Sequence, residues 1–155
     1  MTVESGAILK MVYPELPPSA NHIYVKGTIL TREAREYGER FAQYSTQNYL
    51  HLINEIIRPG PRSVYAVHLR FYFETVVNES YLNLKVPESK RAKTRYKKFD
   101  LTNRVKLLED CVRDAIGIDD CLTFVATQEK HMDPSFPRVE IYVQEIDPSQ
   151  FGVPS

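Results

Sequence analysis

The stretch of sequence that decides the fold is residues 100–128, DLTNRVKLLEDCVRDAIGIDDCLTFVATQ. Apolar residues recur in its first half at helical spacing, so we expect a helix that begins after Asp100. Gly117 suits the left-handed position that commonly ends a helix, and Cys121–Gln128 predicts a strand just beyond the turn. A helix that leads straight into a strand is typical of α/β proteins. The predicted apolar stripe comprises Leu101, Val105, Leu108, Val112, Ala115 and Ile116.

The segments on either side add further strands and another helix. Ala7–Tyr13 predicts a short strand, and Thr31 is the expected N-cap of a helix that ends at Pro59-Gly60-Pro61. Val64–Val76 alternates apolar and polar residues as a strand does, and Arg138–Glu145 predicts the last strand. The order β-α-β-α-β-β predicts a single small α/β domain with a mixed sheet and two main helices. The tail over residues 148–155 is expected to fray.

The amino-acid composition is that of an ordinary globular protein. The chain has 155 residues and a mass of 18.0 kDa, which fits one domain over residues 1–155. Its 43% hydrophobic and 26% charged residues exclude a disordered or fibrous class. No apolar run reaches membrane-spanning length and no signal-peptide pattern is present, so we expect a soluble cytoplasmic protein without a membrane partner.

The sequence excludes several common kinds of catalytic site. Cys111 and Cys121 lack metal-ligand spacing and are predicted to be reduced thiols. The four histidines form no helical metal pair, and no serine or cysteine nucleophile motif is present. Because the chain also lacks a glycine-rich phosphate-binding motif, no nucleotide cofactor is expected.

A long basic loop is predicted over residues 81–99, which have no apolar period, and we expect this loop to be flexible. Seven basic residues stand there against one acid, Glu88, which gives a local charge of +6 in a chain of zero net charge. The loop is either a DNA-binding element that neutralises several phosphates or a solvated surface loop. Its basic residues are Lys85, Lys90, Arg91, Lys93, Arg95, Lys97 and Lys98.

Three acids flank the second predicted helix. Asp100 stands at its entrance, and Asp119 and Asp120 stand in the turn that leaves it. Carboxylates from separate elements suit a hard divalent cation where those elements converge, but aspartate is also ordinary cap and turn chemistry. Lys106 either stabilises a developing phosphate charge or pairs with Asp110 four residues further along the helix. The residues alone leave both alternatives open.

In their order, several of these segments resemble the RusA family of Holliday junction resolvases. The resemblance runs from about Leu16 to Phe124, and the ordered combination is far more specific than any one segment. The segments are Pro17-Pro18-Ser19-Ala20-Asn21-His22-Ile23-Tyr24, Thr31–Tyr37, and Asp100-Leu101-Thr102-Asn103-Arg104-Val105-Lys106 followed by Asp110 and Asp119-Asp120.

The resemblance implies a small homodimeric endonuclease that nicks opposing strands of a four-way DNA junction, with Mg²⁺ as cofactor and Mn²⁺ as a substitute. It implies that Asp100 and Asp120 bind the metal, that Lys106 is the essential lysine, and that Asp119 is a neighbouring acid of the same catalytic and metal-binding set. It also implies branched DNA as the partner and the cytoplasm of a bacterium or phage-infected cell as the location.

One position departs from the family pattern, which has an aspartate where this sequence has Thr102. A hydroxyl lacks the charge with which a carboxylate holds a hard cation, and Glu74 or Glu109 is a candidate to compensate. The alternative prediction is a catalytically weakened RusA-fold protein that binds branched DNA without cutting it. A third interpretation, which sets the resemblance aside, is an α/β interaction domain without a preference for four-way junctions.

Overall fold

A mixed four-stranded β-sheet and two helices make up the fold. The computed structural model describes residues 8–26, 29–57, 63–98 and 101–154 of the chain. The helices are α1 (Arg32–Ile56) and α2 (Thr102–Ile116), and the strands are β1 (Ile8–Tyr13), β2 (Tyr24–Val25), β3 (Ile29–Leu30), β4 (Val64–Phe73), β5 (Thr123–Met132) and β6 (Arg138–Ile146). The α/β class predicted from the sequence, with a mixed sheet and two main helices, is confirmed.

The strand order across the sheet is β1-β6-β4-β5. The β1–β6 and β6–β4 pairs are antiparallel, whereas β4 and β5 run parallel. Parallel neighbours need a crossover connection, and α2 lies in the segment that joins β4 to β5. Because β5 stands last in the strand order, it has a hydrogen-bonded neighbour on one side only and is an edge strand of this sheet.

The core lies on the face of the sheet that the alternation of β4 predicts. Successive side chains of a strand point to opposite faces, and the predicted inner face of β4 is buried. Among the described residues, the buried apolar side chains of β1, β4, β6 and both helices form one cluster. The buried residues of the inner face of β4 are Tyr65, Val67, Leu69, Phe71 and Phe73.

Helix α1 begins where its cap residue predicts. The Thr31 side chain accepts a hydrogen bond from the backbone N–H of Ala34 at 3.1 Å, which satisfies one of the free donors of the first turn. The helix ends at Ile56, and the predicted stop Pro59-Gly60-Pro61 lies outside the described residues. None of the described helices is both long and apolar enough to cross a membrane.

Helix α2 packs closely on α1 and ends at the predicted glycine. A Cβ on Gly38 of α1 would lie 3.6 Å from the Cys111 Sγ of α2, so the two helices approach closely there. Gly117 adopts a left-handed φ of 76°, and its N–H bonds the Arg113 carbonyl oxygen at 2.6 Å. Gly117 therefore sets the point at which the chain turns towards Asp119 and Asp120.

Several predicted boundaries are wrong. Strand β5 begins at Thr123 rather than at Cys121, because Asp120–Leu122 forms a 3-10 turn, and it continues to Met132. Strand β4 stops at Phe73, three residues before the predicted end. The pair β2–β3 lies between the first predicted strand and the first predicted helix, where the sequence predicts no strand. Two-residue strands are too short to show any periodicity in the sequence.

The tail that was expected to fray includes a 3-10 turn over Pro148–Phe151. The Asp147 side chain caps this turn by accepting a hydrogen bond from the Ser149 N–H at 2.9 Å. The Phe151 ring lies edge-on to Phe124 of β5, with 5.8 Å between the ring centroids.

Candidate functional site

A groove runs between α2 and the edge strand β5. On α2, Lys106, Glu109 and Arg113 follow one another at spacings of three and four residues and therefore share one helix face. The groove consists of two cavities of about 440 Å³ and about 270 Å³, and Glu109 lines both. The first cavity is also lined by Thr102, Lys106, Gln128 and Lys130. The second is also lined by Arg113, Asp120, Thr123 and Ala126.

The acidic end of the groove is organised by Arg113. The Arg113 Nη1 atom lies 2.6 Å from Asp120 Oδ1, and Nη2 of the same guanidinium contacts the Asp110 carboxylate. The Asp120 side chain is 77% exposed, whereas the Arg113 side chain is 31% exposed. One partly buried guanidinium therefore bridges a carboxylate of α2 and a carboxylate of the turn that follows it.

Glu109 stands next to these charges. Burial raises the pKa of Glu109, the positive charge of Arg113 lowers it, and the negative charges of Asp110 and Asp120 raise it further. The pKa of Asp110 is also raised, first by burial, against the opposing effects of Arg113 and Lys106. The carboxylates of Glu109 and Asp120 are thus close enough to repel each other.

Lys106 lies at the other end of the groove. Its Nζ atom sits over the ring of Tyr24, 4.9 Å from the ring centroid, in a cation–π arrangement. Its charge also lowers the pKa of Asp110, four residues further along α2. Tyr24 ends the proline-rich segment Pro17–Tyr24, which places that segment beside the groove.

The structure separates the two neighbouring aspartates of the predicted site. Asp120 lines the groove with Glu109, whereas Asp119 lines a different depression of about 370 Å³ beside Asp114. Asp100 lies outside the described residues. Among the residues that are described, no group of three or more His, Cys, Asp and Glu side chains is placed to hold a metal ion.

Sequence reasoning missed Arg113, Gln128 and Lys130 as groove residues. The signal for Arg113 was available, because it follows Glu109 by four residues on a predicted helix. No local pattern marks Gln128 and Lys130, which reach the groove only because β5 lies beside α2. Glu74, weighed beside Glu109 as a compensating acid, is exposed beyond the end of β4.

The basic loop is closed at its base and hydrogen-bonded within itself. Val77 and Tyr96 form an antiparallel bridge, and the Lys97 N–H bonds the Val76 carbonyl oxygen at 2.8 Å. Arg91 is only partly exposed, and its Nε lies 2.9 Å from two backbone carbonyl oxygens of the loop. The six other basic residues are exposed: Lys85, Lys90, Lys93, Arg95, Lys97 and Lys98.

A larger cavity of about 540 Å³ lies at the C-terminal tail. Its lining includes Cys121, Phe124, Pro148 and Val153, and its acid, Asp147, already caps the turn over Pro148–Phe151. Among the described residues, the lining of this cavity has no second carboxylate and no lysine or arginine. The groove is therefore the better candidate for polar chemistry.

Comparison with known proteins gives a family match. No curated protein is similar enough to count as a match. Two crystal structures of the periplasmic domain of Helicobacter pylori MotB each share 14% identity with this chain. They cover 97% and 98% of this chain and 83% and 88% of their own, with TM-scores of 0.37 and 0.35, which are too low to indicate a shared fold. The family model described as Endodeoxyribonuclease RusA matches residues 15–144.

Proposed function

Because the chain belongs to the RusA family of endodeoxyribonucleases, we propose that it resolves four-way DNA junctions by paired, Mg²⁺-dependent nicking. The observation that carries this proposal is the family match over residues 15–144, which spans the groove, α2 and most of the sheet. The proposed partner is branched DNA, and the proposed location is the cytoplasm of a bacterium or of a phage-infected cell.

The proposed metal ligands are Asp100 and Asp120, with Asp119 as a neighbouring acid. Carboxylate oxygens are the ligands that Mg²⁺ prefers, so the donor chemistry of this set fits the cation. The position of Asp120 in the groove, close to Glu109, supports Asp120 over Asp119 as the main ligand. Glu109 is the proposed substitute for the carboxylate that Thr102 lacks. Mn²⁺ is a proposed replacement for Mg²⁺ because it also takes oxygen ligands.

The groove residues have different roles in the proposed phosphodiester hydrolysis. When bound, a divalent cation lowers the pKa of a bound water and neutralises charge on the phosphate. Lys106 adds positive charge at the same groove, where the phosphate becomes more negative as the bond breaks. The ring of Tyr24 holds the ammonium group of Lys106 in place without removing its charge.

The basic loop is proposed to hold the DNA backbone. Without a metal ion, the carboxylates of the groove repel phosphates, so affinity has to come from cations elsewhere. The six exposed basic side chains of the loop can each neutralise a phosphate and release a counter-ion. Arg91 has a different role, because its contacts with two carbonyl oxygens hold the shape of the loop.

A homodimer is proposed because a four-way junction presents two equivalent strands for cutting. A two-fold dimer supplies two equivalent sites from one sequence.

The test is cleavage of a synthetic four-way junction beside a linear duplex of matched sequence, with Mg²⁺ or Mn²⁺. We expect symmetric nicks near the crossover of the junction, no cleavage of the duplex, and no product from Asp120→Asn. Folding of Asp120→Asn is checked by circular dichroism, and its affinity for the junction should stay close to wild type. Equal cleavage of junction and duplex would contradict the proposal.

Thr102 favours a second candidate, a protein that binds branched DNA without cutting it. A hydroxyl where the family pattern has a carboxylate weakens the hold on the cation. Salt-sensitive binding of the junction, without cleavage at any Mg²⁺ or Mn²⁺ concentration, would favour this candidate over the resolvase.

A further inference from the structure

The guanidinium of Arg113 occupies a position among carboxylates that a cation would also favour. It lies 2.6 Å from Asp120 Oδ1, contacts the Asp110 carboxylate and interacts electrostatically with Glu109. The contact with Asp110, three residues earlier, is an ordinary pairing along a helix. The contact with Asp120 is different, because it joins α2 to the 3-10 turn that follows the helix.

Arg113 and a divalent cation would compete for the same carboxylate oxygens. The ion pair places a charged donor of Arg113 2.6 Å from Oδ1 of Asp120, a residue that lines the groove. Mg²⁺ binds carboxylate oxygens at about 2.0–2.1 Å and tolerates little distortion of its octahedral geometry. A guanidinium paired with the same oxygen would also repel the cation at short range.

We infer that Arg113 is a built-in counter-ion of Asp120, which holds this carboxylate in the metal-free protein and releases it when a divalent cation binds. The inference rests on the proposed function, because it takes Asp120 as a metal ligand. It goes further by giving a role to a residue outside the proposed catalytic set. Arg113 acts through Asp120 and is therefore a positioning residue.

The exchange explains how the groove keeps several acids together without metal. Glu109, Asp110 and Asp120 lie within electrostatic range of one another, and the guanidinium of Arg113 offsets part of their mutual repulsion. The same positive charge lowers the affinity of the site for metal. Arg113 thus weakens metal binding, but it also holds the Asp120 carboxylate in place before the cation binds.

The experiment measures Mn²⁺ binding to metal-free protein by isothermal titration calorimetry at low ionic strength. The variant Arg113→Met keeps the aliphatic stem and removes the charge. The matched control is Arg70→Met, which removes a charge paired with Glu129 at 3.2 Å, away from the groove. We expect Arg113→Met to lower the dissociation constant for Mn²⁺ by about two- to fivefold relative to both wild type and Arg70→Met.

An unchanged or weaker Mn²⁺ affinity in Arg113→Met would overturn the inference, because an arginine that only stabilises the fold gives that result. Failure of the proposed function gives a different pattern. If wild type and Asp120→Asn bind Mn²⁺ equally or not at all, Asp120 is not a metal ligand, whatever Arg113 does.

A second measurement on the wild-type protein covers the case in which Arg113→Met does not fold. The Nε–Hε signal of Arg113 in a ¹⁵N NMR spectrum, assigned with Arg113→Lys, reports on the surroundings of the guanidinium. We expect this signal to shift on addition of Mg²⁺ in proportion to occupancy of the site. A signal that stays in place at saturating Mg²⁺ would overturn the inference.

Discussion

Thr102 is the residue at which this chain departs from the pattern of its family, and it lines the groove together with Lys106 and Glu109. An added carboxylate there would give the cation another charged oxygen ligand. We therefore predict that Thr102→Asp lowers the Mg²⁺ concentration needed for half-maximal junction cleavage.

The measurement is a Mg²⁺ titration of cleavage rate, and the control is Thr127→Asp. Thr127 lies on the opposite face of β5, where its hydroxyl lies 2.6 Å from the His68 ring nitrogen. An identical Mg²⁺ requirement in Thr102→Asp and wild type would show that another side chain, such as Glu109, already supplies the missing charge.

Glu140 is a buried acid on the outer face of the sheet, only 6% exposed. Burial raises its pKa, but hydrogen bonds from Arg138 and Tyr142 outweigh this effect, so the pKa of Glu140 is lowered overall. A lowered pKa in the folded state means that the stabilisation is present above the unfolded pKa. It is lost as the pH falls through the folded pKa.

We therefore predict that the free energy of unfolding of wild type falls between about pH 5 and pH 3, and that Glu140→Gln shows less of this fall. At pH 7 the variant should be less stable by about 2 kcal/mol, because Arg138 and Tyr142 lose a charged acceptor. Urea unfolding at several pH values measures both effects, with the exposed Glu79→Gln as control. Parallel pH profiles for Glu140→Gln and wild type would refute the assignment.

Helices α1 and α2 are the elements that the sequence predicts best, because local chemistry fixes their ends. Thr31 caps α1 with its own hydroxyl, and Gly117 ends α2 through a left-handed turn. Strand β5 was harder to delimit, because its side chains are largely exposed on both faces and the apolar alternation that marks a buried strand is missing. Edge position, which depends on the whole sheet, decides that exposure.

The groove itself shows the limit of local reasoning. From the sequence, Lys106 and Asp120 are predicted site residues and Glu109 is a candidate compensating acid, because all three lie on or next to one predicted helix. Gln128 and Lys130 reach the same groove only through the parallel pairing of β4 and β5. A sequence pattern that describes one element at a time contains no information on that pairing.

The basic loop is the element from which we expect salt-dependent DNA binding. Replacing Lys85, Lys90, Lys93 and Lys97 by Gln should weaken junction binding and flatten the dependence of log K on log salt. The expected change in slope is about 0.9 for each lysine that contacts a phosphate. The measurement is fluorescence anisotropy over a range of salt concentrations, with Lys10→Gln of β1 as the control.

An unchanged salt slope in the four-lysine variant would identify the loop as an ordinary solvated surface. Arg91→Gln should behave differently from the lysine variants, because Arg91 bonds two carbonyl oxygens within the loop. Its loss is expected to change the shape of the loop rather than to remove one phosphate contact.

Charge in this protein is arranged so that the loop and the groove complement each other. The chain has no net charge, but residues 85–98 carry +6 and the remainder carries −6. The carboxylates of the groove attract cations, and the exposed basic side chains of the loop attract phosphates. The central proposal is a metal-dependent enzyme that makes two linked cuts, one from each protomer of a dimer.

A direct test of this proposal is cleavage of a supercoiled plasmid that carries an extruded cruciform. The cruciform is a four-way junction that persists only while the plasmid is supercoiled. A first nick relaxes the plasmid and removes the cruciform, so only two cuts within one binding event give linear DNA. We predict linear product with Mg²⁺, and none from Asp120→Asn or without a divalent cation. Nicked circles alone, or binding of the cruciform without any cut, would contradict it.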